Sequence, residues 1–177
     1  LKIFSNIYQM NTYEKEELKT TTIHIPSREV FKTTNIDGLI KYKLKERIEE
    51  VCGKYGYVSK DSVSLIKRSV GSIITHNGES NISYDLTYKM KIISPCTGDT
   101  CDCIIDSITK MGIISFMITS DDAQNNVKDS PVLVIVPQMY VGGEISDYSE
   151  KQKISVEVME KRTKYRAKQI QVVGKIV

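Results

Sequence analysis

The sequence predicts an α+β protein in two parts, an antiparallel sheet crossed by one helix and then a small barrel of strands. Three observations lead to this fold class. Apolar residues recur at three- and four-residue steps over residues 36–52, which is typical of an amphipathic helix. Short alternating or β-branched segments lie on both sides of this helix. Pro95 and Gly98 then mark a boundary, after which the pattern contains only strand-like segments and loops.

The first part is predicted to cover residues 20–94, after an N-terminal extension of residues 1–19. Residues 20–25 are β-branched and alternating, which indicates the first strand of a sheet. Asn35 is suited to the N-cap of the helix, and Gly53 to the position just beyond its C-terminus. One face of the helix is apolar and is expected to pack on the sheet, with Ile36, Leu39, Ile40, Leu44, Ile48, Val51 and Cys52 on it.

The segments after the helix are predicted to complete this antiparallel sheet. Residues 55–66 have a strand pattern with an interruption near residues 60–61. Asn77 followed by Gly78 is a strong signal for a hairpin turn. Alternate positions are apolar in residues 83–92, which indicates a strand with one buried face.

The second part is predicted to be an all-β barrel that covers residues 95–177. Five short strands with turn signals between them suit a small closed barrel of the OB type. These strands are predicted at residues 100–108, 112–119, 132–136, 154–159 and 165–176. Two longer polar loops, residues 120–130 and 141–151, lie between strands.

Charge is distributed unevenly along the chain. Residues 1–94 carry 15 Lys and Arg against 11 Asp and Glu, residues 95–150 carry 2 against 9, and residues 151–177 carry 8 against 2. Neighbouring strands of the barrel could neutralise each other, or the basic segment could bind an anion.

The basic segment contains a dense cluster of cations with one aromatic residue. Its members are Lys161, Arg162, Lys164, Tyr165, Arg166 and Lys168. Cations can follow a phosphate backbone and an aromatic ring can stack on a base, so these six residues are candidate RNA-binding residues. The alternative is a solvated hairpin tip that links the last two strands.

No motif in the chain predicts catalysis, a metal or another cofactor. There is no nucleophile elbow, no glycine-rich loop before a helix, and His24 and His76 are far apart in the sequence. Cys96, Cys101 and Cys103 are separated by spacings of four residues and one residue, which do not match a zinc knuckle. We expect buried cysteines rather than metal ligands, and neither a catalytic residue nor a small-molecule substrate.

The sequence also gives an expectation about location. No secretory signal is visible, and the apolar segments are too short to span a membrane, so we expect an intracellular, reduced protein that does not bind membranes. The first residue is Leu1 rather than methionine, so the natural start could lie upstream.

Several motifs, taken in order, resemble a known family. The run Gly53-Lys54-Tyr55-Gly56-Tyr57 after an amphipathic helix is similar to the helix-to-strand junction in the seventh subunit of eukaryotic RNA polymerase II and in its archaeal counterpart. Residues 83–95 resemble the strand that leads to a proline and then to the barrel in that family, while Gly98 and Gly112 resemble the start of the barrel. Residues 132–139 resemble its third strand, and the whole match covers residues 20–177.

The resemblance implies a tip domain built like a truncated ribonucleoprotein fold, followed by an OB barrel. It implies a non-catalytic stalk subunit of a DNA-directed RNA polymerase that pairs with a small helical subunit and docks on the large core subunits near the RNA exit path. Such a subunit supports transcription initiation and contacts nascent RNA. The implied core-docking residues are Gly53, Lys54, Tyr55, Gly56 and Tyr57.

This family resemblance leaves two further expectations open. The nucleus is the expected location, or a cytoplasmic viral factory or virion if the chain is a viral copy. The usage of Ile, Lys and Asn suggests an AT-rich genome, which fits a divergent copy from a protist or from a large DNA virus. The family often has an aromatic residue just after the glycine that corresponds to Gly112, where this chain has Ile113 and Ile114. The alternative function is a free-standing OB-fold protein that binds RNA or single-stranded DNA.

Overall fold

The computed structural model of the chain describes residues 13–76, 78–119 and 129–177. Its secondary structure is mixed and mostly β, as the sequence predicts. In chain order the elements are β1 (Glu14–Pro26), α1 (Ser27–Val30), α2 (Ile36–Ile48), β2 (Tyr57–Val58), β3 (Ser64–Arg68), β4 (Ser72–His76), β5 (Glu79–Ile93), β6 (Thr100–Thr109), β7 (Gly112–Met117), β8 (Val132–Pro137), β9 (Lys153–Arg162) and β10 (Ile170–Ile176). Two short 3₁₀ turns, Gln138–Tyr140 and Ile145–Asp147, lie between β8 and β9. No helix in the described ranges has the length and apolar character needed to cross a membrane.

The long strand β5 organises the first half of the chain. It pairs with β1 on one side, from Glu14 opposite Ile93 to Pro26 opposite Asn81, and with β2, β3 and β4 in succession on the other. From Ile82 to Ile92 every second residue of β5 is buried, which confirms the predicted alternation. These side chains share one core cluster with Ile40 of α2, so the helix packs on this face of the sheet.

The helix begins as predicted and ends earlier. The side chain of Asn35 accepts a hydrogen bond from the Gly38 amide at 2.8 Å, which confirms the N-cap. The prediction that the helix continues to residue 52 is wrong, because α2 ends at Ile48 and Glu49 is extended. The reason is tertiary: Glu50 donates a backbone hydrogen bond to Val58, and the side chain of Glu49 accepts one from Val63.

The first strand is longer than predicted. It begins at Glu14 rather than at residue 20, so six residues of the predicted extension belong to the sheet. The charged residues there were a poor strand signal, but their backbone pairs with β5, and cross-strand salt bridges add to this pairing, such as Lys91 to Glu14 at 3.0 Å. Residues 1–12 lie outside the described residues, as does Asn77 of the predicted turn, while Gly78 has the positive φ of +78° expected there.

The second half forms the predicted closed barrel of five strands. The strand order is β10-β8-β7-β6-β9, and β9 pairs with both β10 and β6 to close it. Neighbouring strands are antiparallel except β8 and β10, which are parallel. The prediction that the last strand starts at residue 165 is wrong, since β10 starts at Ile170. Most of the predicted loop 120–130 lies outside the described residues.

Candidate functional site

The predicted docking motif lies at the junction between the two halves. Cys52, just before the motif, donates a backbone hydrogen bond to Ala167 at 2.7 Å and accepts one from the Arg166 amide at 2.8 Å. Tyr57 is only 8% exposed and belongs, with Cys52, Ile93 and Tyr13, to the core cluster of the barrel. The two halves therefore have separate cores that meet through these four side chains.

Gly56 allows the turn in this motif. The Gly53 amide donates to the Gly56 carbonyl at 2.7 Å, and Gly56 has φ +147°, a conformation that favours glycine. A Cβ at position 56 would lie 2.5 Å from the Ile93 carbonyl oxygen, closer than atoms of these types approach. Glycine is therefore required here both by the backbone angle and by the close approach to β5.

A groove of about 500 Å³ opens beside this junction. Its lining comes from β1, the C-terminal end of α2, the segment after α2, β5 and the loop between β9 and β10. The lining residues are Leu18, Lys19, Thr20, Thr21, Arg47, Ile48, Val51, Cys52, Gly53, Lys54, Tyr55, Gly56, Val58, Tyr88, Met90, Ile92, Tyr165 and Arg166. Four of these 18 residues are Lys or Arg and none is Asp or Glu, so the groove favours an anionic ligand.

Three of the four cations of the groove have no acidic partner within the described part of the chain. Lys19 forms a salt bridge with Glu17 at 2.6 Å, and this hydrogen bond raises the pKa of the Lys19 ammonium group. Arg47, Lys54 and Arg166 pair with no carboxylate among the residues that the structure describes. Their charge is therefore available to a ligand.

Tyrosine rings accompany these cations. Tyr165 is 79% exposed and Tyr55 is 51% exposed, while Tyr88 is buried among the residues of the groove lining. The ammonium groups of Lys19 and Lys54 lie 3.7 Å and 5.6 Å from the centre of the Tyr55 ring, within the range of cation–π attraction. The groove thus combines free positive charge with exposed aromatic surface.

The predicted RNA-binding residues lie at the end of β9 and in the loop that joins it to β10. This is the hairpin tip that the sequence offered as the alternative, and it contacts the first half of the chain. Tyr165 and Arg166 line the groove. Lys161 donates to the Ser94 hydroxyl at 3.1 Å and Arg162 pairs with Glu160 at 3.1 Å. Lys164 and Lys168 are exposed and do not line it.

The structure thus brings together two sets that the sequence kept apart, the docking motif and part of the basic cluster. It adds Lys19 and Arg47, which the sequence did not single out. No sequence signal connects Lys19 and Arg47 with position 166, because their positions in the groove depend on the pairing of β1 with β5 and on the residue at which α2 ends. A surface ion pair between Lys153 and Asp102, at 3.9 Å, connects the basic segment with the acidic one.

The four cysteines differ in their exposure to solvent. Cys52, Cys101 and Cys103 are buried as expected, whereas Cys96 is exposed. The sulfur atoms of Cys101 and Cys103 are 3.8 Å apart inside the barrel. Across the described part of the chain, no three Cys, His, Asp or Glu side chains converge as metal ligands.

Iodoacetamide is expected to modify Cys96 alone in the folded protein. The other three thiols are inaccessible, and burial raises the pKa of Cys52 to about 11, which keeps its unreactive thiol form at neutral pH. Intact-mass spectrometry would then show one adduct in buffer and four in denaturant. Loss of the native adduct in Cys96→Ser identifies the site, and two or more adducts on the folded chain would contradict the buried positions.

No protein-family model matches this chain, and no curated protein matches it significantly.

Proposed function

We propose that this chain is a non-catalytic subunit of a multisubunit DNA-directed RNA polymerase, of the stalk type that the sequence resembles. It would dock on the large core subunits near the RNA exit path with a small helical partner, support initiation and contact nascent RNA. The observation that carries the proposal is the junction. There, the motif Gly53–Tyr57 joins a helix-covered sheet to a five-stranded barrel through backbone hydrogen bonds and shared core side chains.

The topology of the barrel supports an OB assignment. Counted from β6, the strands are ordered 1-2-3-5-4 around the barrel, with the third and fifth strands parallel. OB barrels bind oligonucleotides through the face of strands 2 and 3 and through the loops that follow strands 1 and 4. The cationic loop at Lys164 and Arg166 is the one that follows the fourth strand.

The junction suits a rigid support. Paired backbone hydrogen bonds between Cys52 and residues 166–167 limit rotation of one half against the other, and Ser94 adds a backbone bond to Tyr13 at 2.8 Å. A subunit that holds a polymerase partner at a fixed distance needs such stiffness, and it needs no reactive centre.

The far edge of the sheet offers a docking surface. Val70 and Ile73 are 88% and 72% exposed and lie on the loop before β4 and on β4, with exposed Ile66 nearby on β3. Exposed β-branched residues at a sheet edge are common at protein contacts. Val70, Ile73 and Ile66 are the surface we assign to the core enzyme.

The double variant Val70→Asp, Ile73→Asp is expected to lose most of its binding to the polymerase. A tagged chain expressed in its source cell should recover large polymerase subunits, and the double variant should recover less than a tenth as much, since charges at an apolar contact typically cost several kcal/mol. Quantitative mass spectrometry measures this. Met111→Asp, at a residue that is 86% exposed on the barrel, is the matched control and should leave recovery unchanged. Absence of polymerase subunits from the wild-type sample would end the proposal.

A free-standing OB-fold protein that binds RNA or single-stranded DNA is the second candidate. The observation that favours it is the set of cations at Lys164, Arg166 and Lys168 without acidic partners among the described residues. Recovery of nucleic acid without polymerase subunits in the same experiment would favour this function.

A further inference from the structure

We infer that the groove beside the junction is a binding site for single-stranded RNA, with phosphates at Arg47 and Arg166 and a base on Tyr165. The inference rests on the proposed role in contacting RNA and gives that contact a place in the structure. It moves the site from the outer cations of the β9–β10 loop to the space between this loop, α2 and the sheet.

Charge is the first argument. Arg47 comes from the C-terminal end of α2, Lys54 from the segment after it and Arg166 from the loop between β9 and β10, so cations reach the groove from separate elements. None of the three has an acidic partner among the described residues, and no carboxylate lines the groove. A polyanion can neutralise all three at once, which an isolated carboxylate cannot.

The aromatic surface is the second argument, and it favours RNA over an acidic peptide. Both Tyr165 and Tyr55 line the groove, where Tyr165 is mostly exposed and Tyr55 is about half exposed. An exposed aromatic ring can stack on any base. Cations interleaved with such rings are typical of proteins that bind single strands without strict sequence preference. An acidic peptide would use the charge but leave these rings without a matched partner.

The backbone holds the loop side of the site in place. Arg166 has φ +61°, and its amide donates to the Cys52 carbonyl at 2.8 Å. This left-handed residue turns the loop toward α2 and is fixed by the same hydrogen bonds that form the junction. The loop is therefore positioned before any ligand binds, which lowers the cost of ordering it.

The test measures binding of a fluorescein-labelled oligouridylate to the purified chain by anisotropy over a series of salt concentrations. The variants are Arg47→Gln, Tyr165→Leu and Arg166→Asn, and asparagine tolerates the positive φ at position 166. Each charge variant is expected to weaken binding roughly tenfold and to reduce the slope of log K against log salt by about 0.7. Tyr165→Leu is expected to weaken binding roughly 5- to 150-fold with little change in slope.

Two matched control variants lie at the end of the sheet that is far from the groove. Lys32→Gln removes an exposed cation, and Phe31→Leu changes a ring that is 78% exposed, against 79% for Tyr165. Both should bind RNA as the wild type does. All five changes are at exposed positions, and thermal unfolding followed by circular dichroism checks that each variant folds.

Three outcomes would overturn the inference. One is unchanged affinity and slope in the groove variants, with loss instead in Lys164→Gln and Lys168→Gln, which places RNA on the outer loop. Another is unchanged RNA binding by the groove variants while their binding of poly-glutamate falls, which assigns the groove to an acidic peptide. A third is equal weakening in the controls. If the chain recovers no polymerase subunits but RNA binding still depends on the groove, only the polymerase role is rejected.

Discussion

Gly56→Ala is expected to lower the free energy of unfolding by about 3 kcal/mol and to loosen the junction. Two causes combine at this position. The added Cβ would meet the Ile93 carbonyl oxygen at 2.5 Å and the Ile92 side chain at 2.8 Å, and φ +147° is a conformation that alanine strongly disfavours. Neither neighbour can move easily, because Ile93 pairs with both Glu14 and Tyr57.

Gly53→Ala is the matched control within the same motif. Its Cβ would have one neighbour within 4 Å, the Gly56 carbonyl oxygen at the ordinary distance of 3.8 Å, and φ at Gly53 is not positive. We expect a change within about 1 kcal/mol, and a slight stabilisation if the unfolded chain loses entropy. Urea unfolding of both variants measures the difference. A Gly56→Ala protein as stable as Gly53→Ala would show that the close approach to β5 is absent.

Tyr13→Ala is expected to cost about 3–5 kcal/mol, the usual loss for removing a large buried ring. Tyr13 is 5% exposed and packs in the barrel cluster although it directly precedes the first strand of the sheet. Its hydroxyl donates to the Ile118 carbonyl at 3.2 Å, and its own carbonyl accepts from the Ser94 amide. The ring therefore joins the start of the sheet to the barrel, and a chain that begins at residue 20 should lose at least this much stability, since it also lacks six paired residues of β1.

Two further variants separate the parts of this effect. Tyr13→Phe keeps the ring and loses the hydrogen bond, so it should cost only about 1 kcal/mol. Tyr42→Ala removes a tyrosine that is 62% exposed on α2 and should change stability by less than about 0.5 kcal/mol. Thermal unfolding followed by circular dichroism compares all three. A Tyr13→Ala protein as stable as Tyr42→Ala would mean that the N-terminal strand does not hold the barrel.

The buried Tyr13 ring is also expected to make the protein less stable at high pH. Burial raises the pKa of Tyr13 above its usual value of about 10. The unfolded chain then loses this proton at a lower pH than the folded chain, so the stabilising contribution is complete below about pH 10 and declines as the pH rises above that value. Tyr13→Phe should remove this part of the decline.

The sequence predicted the elements whose signals are local. The N-cap at Asn35, the alternation along β5 and the presence of five strands in the barrel were predicted correctly, because each depends on neighbouring residues. Prediction was poorest at the element ends. The end of α2 depends on bonds to Val58 and Val63, which lie beyond the helical repeat, and the start of β1 depends on pairing with β5, which lies far away in the sequence.

The candidate site was predicted only in pieces. The motif Gly53–Tyr57 and the basic residues near Tyr165 were noted separately, and Arg47 was not noted at all. They line one groove because the carbonyl and amide of Cys52 pair with residues 166 and 167, a contact between segments more than a hundred residues apart. No periodicity or spacing encodes such a contact.

By itself the sequence determined the two halves, their order and the residues that can carry positive charge, since hydrophobic period and turn chemistry act over short distances. The tertiary structure alone decided that Tyr57 is buried at the junction while Tyr55 remains exposed beside the groove. The physical reason is that burial depends on which distant surface a side chain meets. For two tyrosines of one short motif, that surface is set by the packing of the sheet against the barrel.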